Sequence, residues 1–284
     1  MIEIKHKKTG AVLTTVDGDT LAGADLRDMR LEGADLRNAD LSTANLRYSD
    51  LVDSDLSGAN LQGAYLAGVH LNNSDLTGAN LSGAKLGAES SASAAMLSHC
   101  KLSGVDFSRA DLRRVEMRNS VLENAIFDHA DLRNADLGNS NLRNSSARNV
   151  LFIKANMREA NLSGVDFCDS HLNDANMIKA DLRGAKLESA SADGFTVINL
   201  ANLEAANLSG ARMRNISAED VNLKHADLSG ADLTHAVMGG ANLRSSNVAG
   251  ANFEGVELAT VNMEFANFSQ AQNAQIPSYK INLR

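Results

Sequence analysis

Histidine and cysteine are the residues best suited to metal binding or nucleophilic catalysis, but their spacing in this chain fits neither use. No histidine is paired with a cysteine or a carboxylate at zinc-ligand spacing, so we expect no metal site. We expect all the histidines except the first to lie outside the core. The seven are His6, His70, His99, His129, His171, His225 and His235.

The two cysteines, Cys100 and Cys168, are too few to form a disulfide framework, which indicates a reducing, cytoplasmic compartment. Cys100 takes a small inward position in the repeat described below, so we predict an inert buried thiol. Cys168 directly follows Phe167 and is predicted to point outward.

Motifs for phosphate binding, serine hydrolysis and calcium binding are missing from the sequence. Glycines such as Gly58 and Gly63 recur at fixed intervals, which is typical of turns rather than of a phosphate-binding loop. Aspartate also recurs too regularly to mark one acid–base pair. The sequence therefore predicts a protein that is not an enzyme and needs no cofactor.

Composition narrows the classes of partner. Among 284 residues there is no Trp and only one Pro, and the net charge is −8, so we expect no direct binding to nucleic acid. No apolar run is long enough to cross a membrane, and none follows the basic residues near the N-terminus, so we expect neither membrane contact nor a signal peptide.

A five-residue repeat organises almost the whole chain. Leucine occupies every fifth position from Leu21 to Leu86, 14 times in succession. The pattern resumes one residue out of phase from Leu97 to Leu187, and again from Leu203 to Phe268, so that 45 of 47 central positions carry Leu, Phe, Met or Val. A period of five holds no single face of an α-helix. It suits a coil in which each pentapeptide supplies one straight side and one corner.

The pattern Ala-[Asp/Asn]-Leu-x-x, as in Ala24-Asp25-Leu26 and Ala59-Asn60-Leu61, resembles the pentapeptide-repeat family. This resemblance implies an all-β fold, a right-handed quadrilateral β-helix with four pentapeptides per coil and about 12 coils. Leucine-rich and hexapeptide solenoids have other periods. The central side chains are then the structural core, among them Leu26, Leu56, Leu76, Phe107, Phe127 and Phe167.

Three segments follow from the pattern. Residues 1–15 lie outside the repeat and alternate like a small hairpin, which predicts an N-terminal cap. Residues 16–268 form the predicted β-helix, with shifts of frame near 87–96 and 192–203 that each add one residue to a coil. Residues 269–284 leave the repeat, as a C-terminal cap or a dimerisation tail.

Stacking residues 20 apart, or 21 across a shift, predicts which side chains share a face. One face then carries an acidic row, which we treat as a candidate interaction stripe. It comprises Asp35, Asp55, Asp75, Glu116 and Asp136, with Met96 between its two halves. A second face carries an asparagine ladder, which we interpret as structural.

The last predicted coil is rich in phenylalanine, and an apolar end of a solenoid must be covered. We therefore expect a C-terminal homodimer contact at Phe253, Phe265 and Phe268.

Two binding functions remain open. The first is a scaffold or regulatory partner for an unidentified protein. The alternative is suggested by similarity to family members that protect DNA gyrase and topoisomerase IV by mimicking DNA, which would make a type II topoisomerase the partner. The arginines between Arg113 and Arg158 interrupt a DNA-like potential, so the scaffold is favoured.

Overall fold

The computed structural model describes residues 1–88, 90, 93–189, 194 and 196–279. Contacts between Cα atoms group the chain into two compact units, Met1–Ser145 and Ser146–Arg284. The described residues include no helix long and apolar enough to cross a membrane.

The first unit begins with a hairpin. Strand β1 (Ile2–His6) pairs antiparallel with β2 (Val12–Val16), with an irregularity in register between Ile4 and Lys5. The other edge of β1 pairs with the two-residue strand β3 (Ala34–Asp35). Because β3 belongs to an early repeat, the hairpin covers a strand edge that would otherwise be open.

Beyond the hairpin, the unit is a stack of coils that contact each other through single-residue parallel bridges. Outside the insertion described below, each bridge joins residues 20 apart, as in Asp35 to Asp55 and Asp55 to Asp75. Twenty residues are four pentapeptides, so four repeats complete one coil. Each coil forms backbone hydrogen bonds with the coil before it and with the coil after it. Leu56 N donates to Asp75 O at 2.7 Å, and Asp55 N donates to Ala34 O at 2.9 Å.

Each repeat has the same local conformation. The central residue points inward, and the chain then turns, so that Ala59 N donates to Leu56 O at 2.9 Å. The turn places the second residue after the centre, here Gly58, in the left-handed region at φ 67°. Leu26, Leu56 and Leu76 are fully buried, and the rings of Phe107 and Phe127 stack at 5.5 Å.

The first shift of frame is larger than predicted. His70 pairs with Met96. The coil between these two residues therefore has six residues more than the four pentapeptides of an ordinary coil. Ala95 N donates to Leu86 O at 3.3 Å across the closed corner. The insertion therefore has six residues, and the predicted single added residue was wrong. The error arises because a five-residue period does not distinguish an insertion of one residue from an insertion of six, since both shift the frame by one position.

The second unit has the same coil and the same size of insertion. His171 pairs with Val197, which is the same separation in sequence as His70 to Met96. Unbroken asparagine columns do form, but with the corrected register. One runs through Asn156, Asn176, Asn202, Asn222, Asn242 and Asn262. The Nδ2 atom of Asn222 donates to Asn202 Oδ1 at 3.0 Å, so the amides bond along the column.

At the C-terminal end the coil continues past Phe268, because Gln272 still pairs with Asn252. The tail then turns back, and Tyr279 Oη donates to Ala259 O at 3.2 Å. The sequence analysis also assigned residues 280–284 to the tail, and these lie outside the described residues.

The inward assignment is tested by a neighbouring pair of substitutions. We expect Leu56→Ala to lower the free energy of unfolding by about 2–5 kcal/mol, because it removes a fully buried side chain and leaves a cavity. Ser57→Ala removes only a hydroxyl that bonds to Asp55 at the surface, and should cost less than about 1 kcal/mol. Urea unfolding measures both, and equal losses would contradict the assignment.

Candidate interaction surfaces

The predicted acidic stripe is divided between two faces. Asp35, Asp55 and Asp75 form one column, and the six-residue insertion brings Lys101 next in that column. The other members of the prediction lie on the adjacent face, in a column that runs through His70, Met96, Glu116 and Asp136. The single stripe was therefore wrong, because it assumed that the shift adds only one residue to the coil.

The carboxylates of these two columns are mostly neutralised. Arg37 bonds to Asp35 through Nε at 2.8 Å and Nη2 at 2.6 Å, and this contact lowers the pKa of Asp35. Lys101 Nζ lies 3.2 Å from Asp75, and Arg118 Nε donates to Asp136 at 2.5 Å. The surface potential of these faces is therefore much weaker than the number of acids suggests.

The Asp or Asn before each centre has a structural role that sequence analysis missed. Its side-chain oxygen accepts the backbone N–H two residues later, as in Ser57 N to Asp55 Oδ1 at 3.0 Å and Ser82 N to Asn80 Oδ1 at 3.0 Å. This bond fixes the approach to the corner. The signal was visible in the sequence as an Asp or Asn at a constant distance from most turns.

Among the described residues, three corners carry a Tyr, Leu or Phe in the left-handed conformation. Tyr48 lies in the first unit at φ 58°, and Leu200 and Phe265 lie in the second at φ 61° each. Their exposed fractions are 55%, 59% and 60%. We call these residues the apolar corners.

The phenylalanines proposed for a dimer contact differ in accessibility. Phe253 is fully buried and packs on Phe268 with ring centroids 5.5 Å apart, so its assignment to a contact surface was wrong. Phe253 lies one coil before the end of the stack, where the following coil covers its ring. Phe268 is half-buried, and Phe265 projects from a corner beside Arg244, whose guanidinium lies 5.7 Å from the ring centroid.

Both cysteines are buried, which confirms the prediction for Cys100, and Cys168 is buried although it was predicted to point outward. Cys168 is 5% exposed, and beside it Ser189 Oγ donates to Asp169 Oδ1 at 2.6 Å and Asp169 N donates to Thr196 Oγ1 at 3.0 Å. Burial raises the pKa of the Cys168 thiol to about 12, and the neighbouring Asp166 adds to this. Burial raises the pKa of Cys100 to about 12 as well.

Within the described ranges, no three residues among His, Cys, Asp and Glu lie together in a way that would hold a metal ion.

Comparisons with solved structures give several similar proteins. HetL, a pentapeptide repeat protein involved in heterocyst differentiation regulation in Nostoc sp. strain PCC 7120, is 27% identical; the alignment covers 75% of this chain and 86% of HetL, with a TM-score of 0.41. QnrB1, a plasmid-mediated fluoroquinolone resistance protein, is 19% identical over 81% of this chain and 86% of its own, with a TM-score of 0.24. A pentapeptide repeat protein of the Arabidopsis thaliana thylakoid lumen is 25% identical over 49% and 71%, with a TM-score of 0.20.

No curated protein matches the chain. The family model for pentapeptide repeats does match, in eight copies. Together the copies cover residues 21–87, 93–128, 130–191 and 201–271. Because these copies cover most of the sequence and the observed coil has four pentapeptides, the protein belongs to the pentapeptide-repeat family and forms a repeat β-helix.

Proposed function

We propose that this protein is a non-enzymatic interaction scaffold or regulatory partner, which binds another protein through the outer faces and corners of its coils. The observation that carries the proposal is the set of apolar corners, Tyr48, Leu200 and Phe265. Pentapeptide-repeat proteins generally have structural or interaction roles, which agrees with it.

Each apolar corner is unfavourable in two ways for the isolated chain. A left-handed conformation costs a residue with a side chain roughly 1–2 kcal/mol, and a large apolar group remains in water. The fold does not require either. The corner position carries Asp28 and Gly68 in the coils that flank Tyr48, and Asp220 and Gly240 in the coils after Leu200. A partner that covers the side chain would offset both costs.

The alternative, a DNA-mimicking protector of gyrase or topoisomerase IV, has weaker support. Such mimicry needs an unbroken acidic surface, and the column of Asp35, Asp55 and Asp75 continues with Lys101 and then the neutral Val121. The arginine and lysine contacts described above reduce its charge further.

The proposal includes three finer points. The β-helix is right-handed and has about 12 coils. This number follows from four central residues per coil, counting the 47 predicted centres and Ile198. The protein works in the cytoplasm, where Cys100 and Cys168 stay reduced. It forms a homodimer through its C-terminal coils, with Phe265 and Phe268 in the contact, so that a second copy covers the corner at Phe265 and the partner protein binds at Tyr48 and Leu200.

The apolar corners are tested together. In the triple variant Tyr48→Gly, Leu200→Gly and Phe265→Gly, glycine accepts the left-handed conformation, so the fold should be retained. Immobilised wild-type protein should retain specific proteins from cells that express it, and the triple variant should lose them. Cross-linking followed by mass spectrometry measures this.

The matched control is Asp28→Gly, Asn215→Gly and Ser245→Gly, which changes corners of the same conformation and should retain the same proteins. Identical sets of bound proteins for all three samples would contradict the proposal. Purified gyrase assayed with a quinolone tests the alternative directly, and no shift in inhibition by this protein is expected.

The dimer is tested by light scattering. Wild-type protein should have about twice the 30.1 kDa mass of one chain. Phe265→Asp places a charge in the contact and should return the mass to one chain. His225→Asp changes the same corner two coils earlier and should leave the dimer intact. Wild-type protein that remains monomeric at high micromolar concentration would exclude this contact.

A further inference from the structure

Four residues of the first unit form one surface, which we call the tyrosine patch: Arg47, Tyr48, Tyr65 and Lys85. We propose that the tyrosine patch binds a short acidic segment of the partner protein. This inference rests on the proposed function and identifies the chemistry of one of its surfaces.

The ring of Tyr48 is held in place before any partner binds. It lies over Gly68, where an added Cβ atom would overlap the Cδ1 and Cε1 atoms of the ring. Gly68 is buried as a result, while 55% of Tyr48 stays exposed. The patch therefore presents the tyrosine in a fixed position, so a partner loses little conformational entropy by packing on it.

Two cations are held beside this ring. The guanidinium carbon of Arg47 lies 4.7 Å from the centroid of the Tyr65 ring, and Lys85 Nζ lies 5.0 Å from the same centroid. Both distances are within the range of cation–π attraction. Tyr65 thereby fixes two positive charges, and one of them belongs to Arg47, which directly precedes Tyr48 in the chain.

The charge of Arg47 is left available by one change in the repeat. In Asp25-Leu26-Arg27 and Asp35-Leu36-Arg37 the aspartate binds the arginine two residues later, at 2.6 Å in both cases. In Asn45-Leu46-Arg47 the aspartate is replaced by asparagine, which bonds only to the Arg47 backbone N–H, at 3.4 Å. Across the described residues, no carboxylate lies within 4.0 Å of the cation of Arg47 or of Lys85.

These features fit a short peptide that carries carboxylates and an aromatic or apolar side chain. The carboxylates would pair with Arg47 and Lys85, and the aromatic or apolar group would pack on Tyr48. A nucleic acid fits less well, because its phosphates continue in both directions. It would meet Asp25 on the same column and Asp28 at the same corner, while Asp50 lies on the adjacent face.

The test is selection from a random 12-residue peptide library displayed on phage, with the full-length protein immobilised. Enriched sequences should place Asp or Glu beside an aromatic or large apolar residue. The most enriched peptide is then synthesised with a fluorescein label, and its binding is measured by anisotropy. Tyr48→Gly and Arg47→Glu should each weaken binding by at least about 10-fold.

Two controls separate binding from folding. Tyr48→Gly should keep its melting temperature within about 3 °C of wild type or raise it, because glycine removes backbone strain. Asn38→Gly, another corner of the same conformation, should leave peptide binding within about twofold.

Failure to enrich any sequence, or enrichment of basic sequences, would overturn the inference. Tighter binding of a 15-residue oligothymidylate that both patch variants abolish would assign the patch to nucleic acid instead. If the peptide selection fails while capture of a partner still depends on Leu200, only this inference is lost and the proposed function stands.

Discussion

Backbone pairing between residues four pentapeptides apart is the interaction on which the rest of this protein depends. It can form only if the chain turns at the same place in every repeat, and each turn needs one residue in the left-handed region. The pairing therefore determines both the period and the composition: Leu at the centre, a small residue beside it, Asp or Asn to start the turn, and Gly or Asn at the corner. Each of these positions has one structural task.

Function is left to the positions that the pairing does not constrain. The side chains of the outward columns need only be compatible with their neighbours along the stack, and their charges are mostly balanced locally, as Arg37 balances Asp35. Departures from the ordinary repeat are therefore informative. A bulky residue at a corner, or an asparagine that leaves an arginine without its usual aspartate, changes the surface without changing the coil.

The sequence predicts the inward residues and the family well, because the period of five repeats dozens of times and any error in one repeat is corrected by the others. It predicts the size of an insertion poorly, since the spacing from Leu86 to Leu97 fits one added residue or six equally well. The acidic stripe failed for that reason. The burial of Cys168 was not predicted for a different reason, because distant residues bond to the neighbouring Asp169 and no local pattern records those contacts.

The most direct test of the pairing is a comparison of two deletions in the first insertion. Removing residues 89–94 joins Ala88 to Ala95 and restores pairing between residues four pentapeptides apart. Removing residues 90–94 leaves this coil one residue longer than four pentapeptides, so the extra residue must be accommodated at a corner. Thermal unfolding should show a melting temperature for the six-residue deletion within about 5 °C of wild type, and a clearly lower one for the five-residue deletion. A five-residue deletion that is as stable as the six-residue deletion, or more stable, would contradict the account.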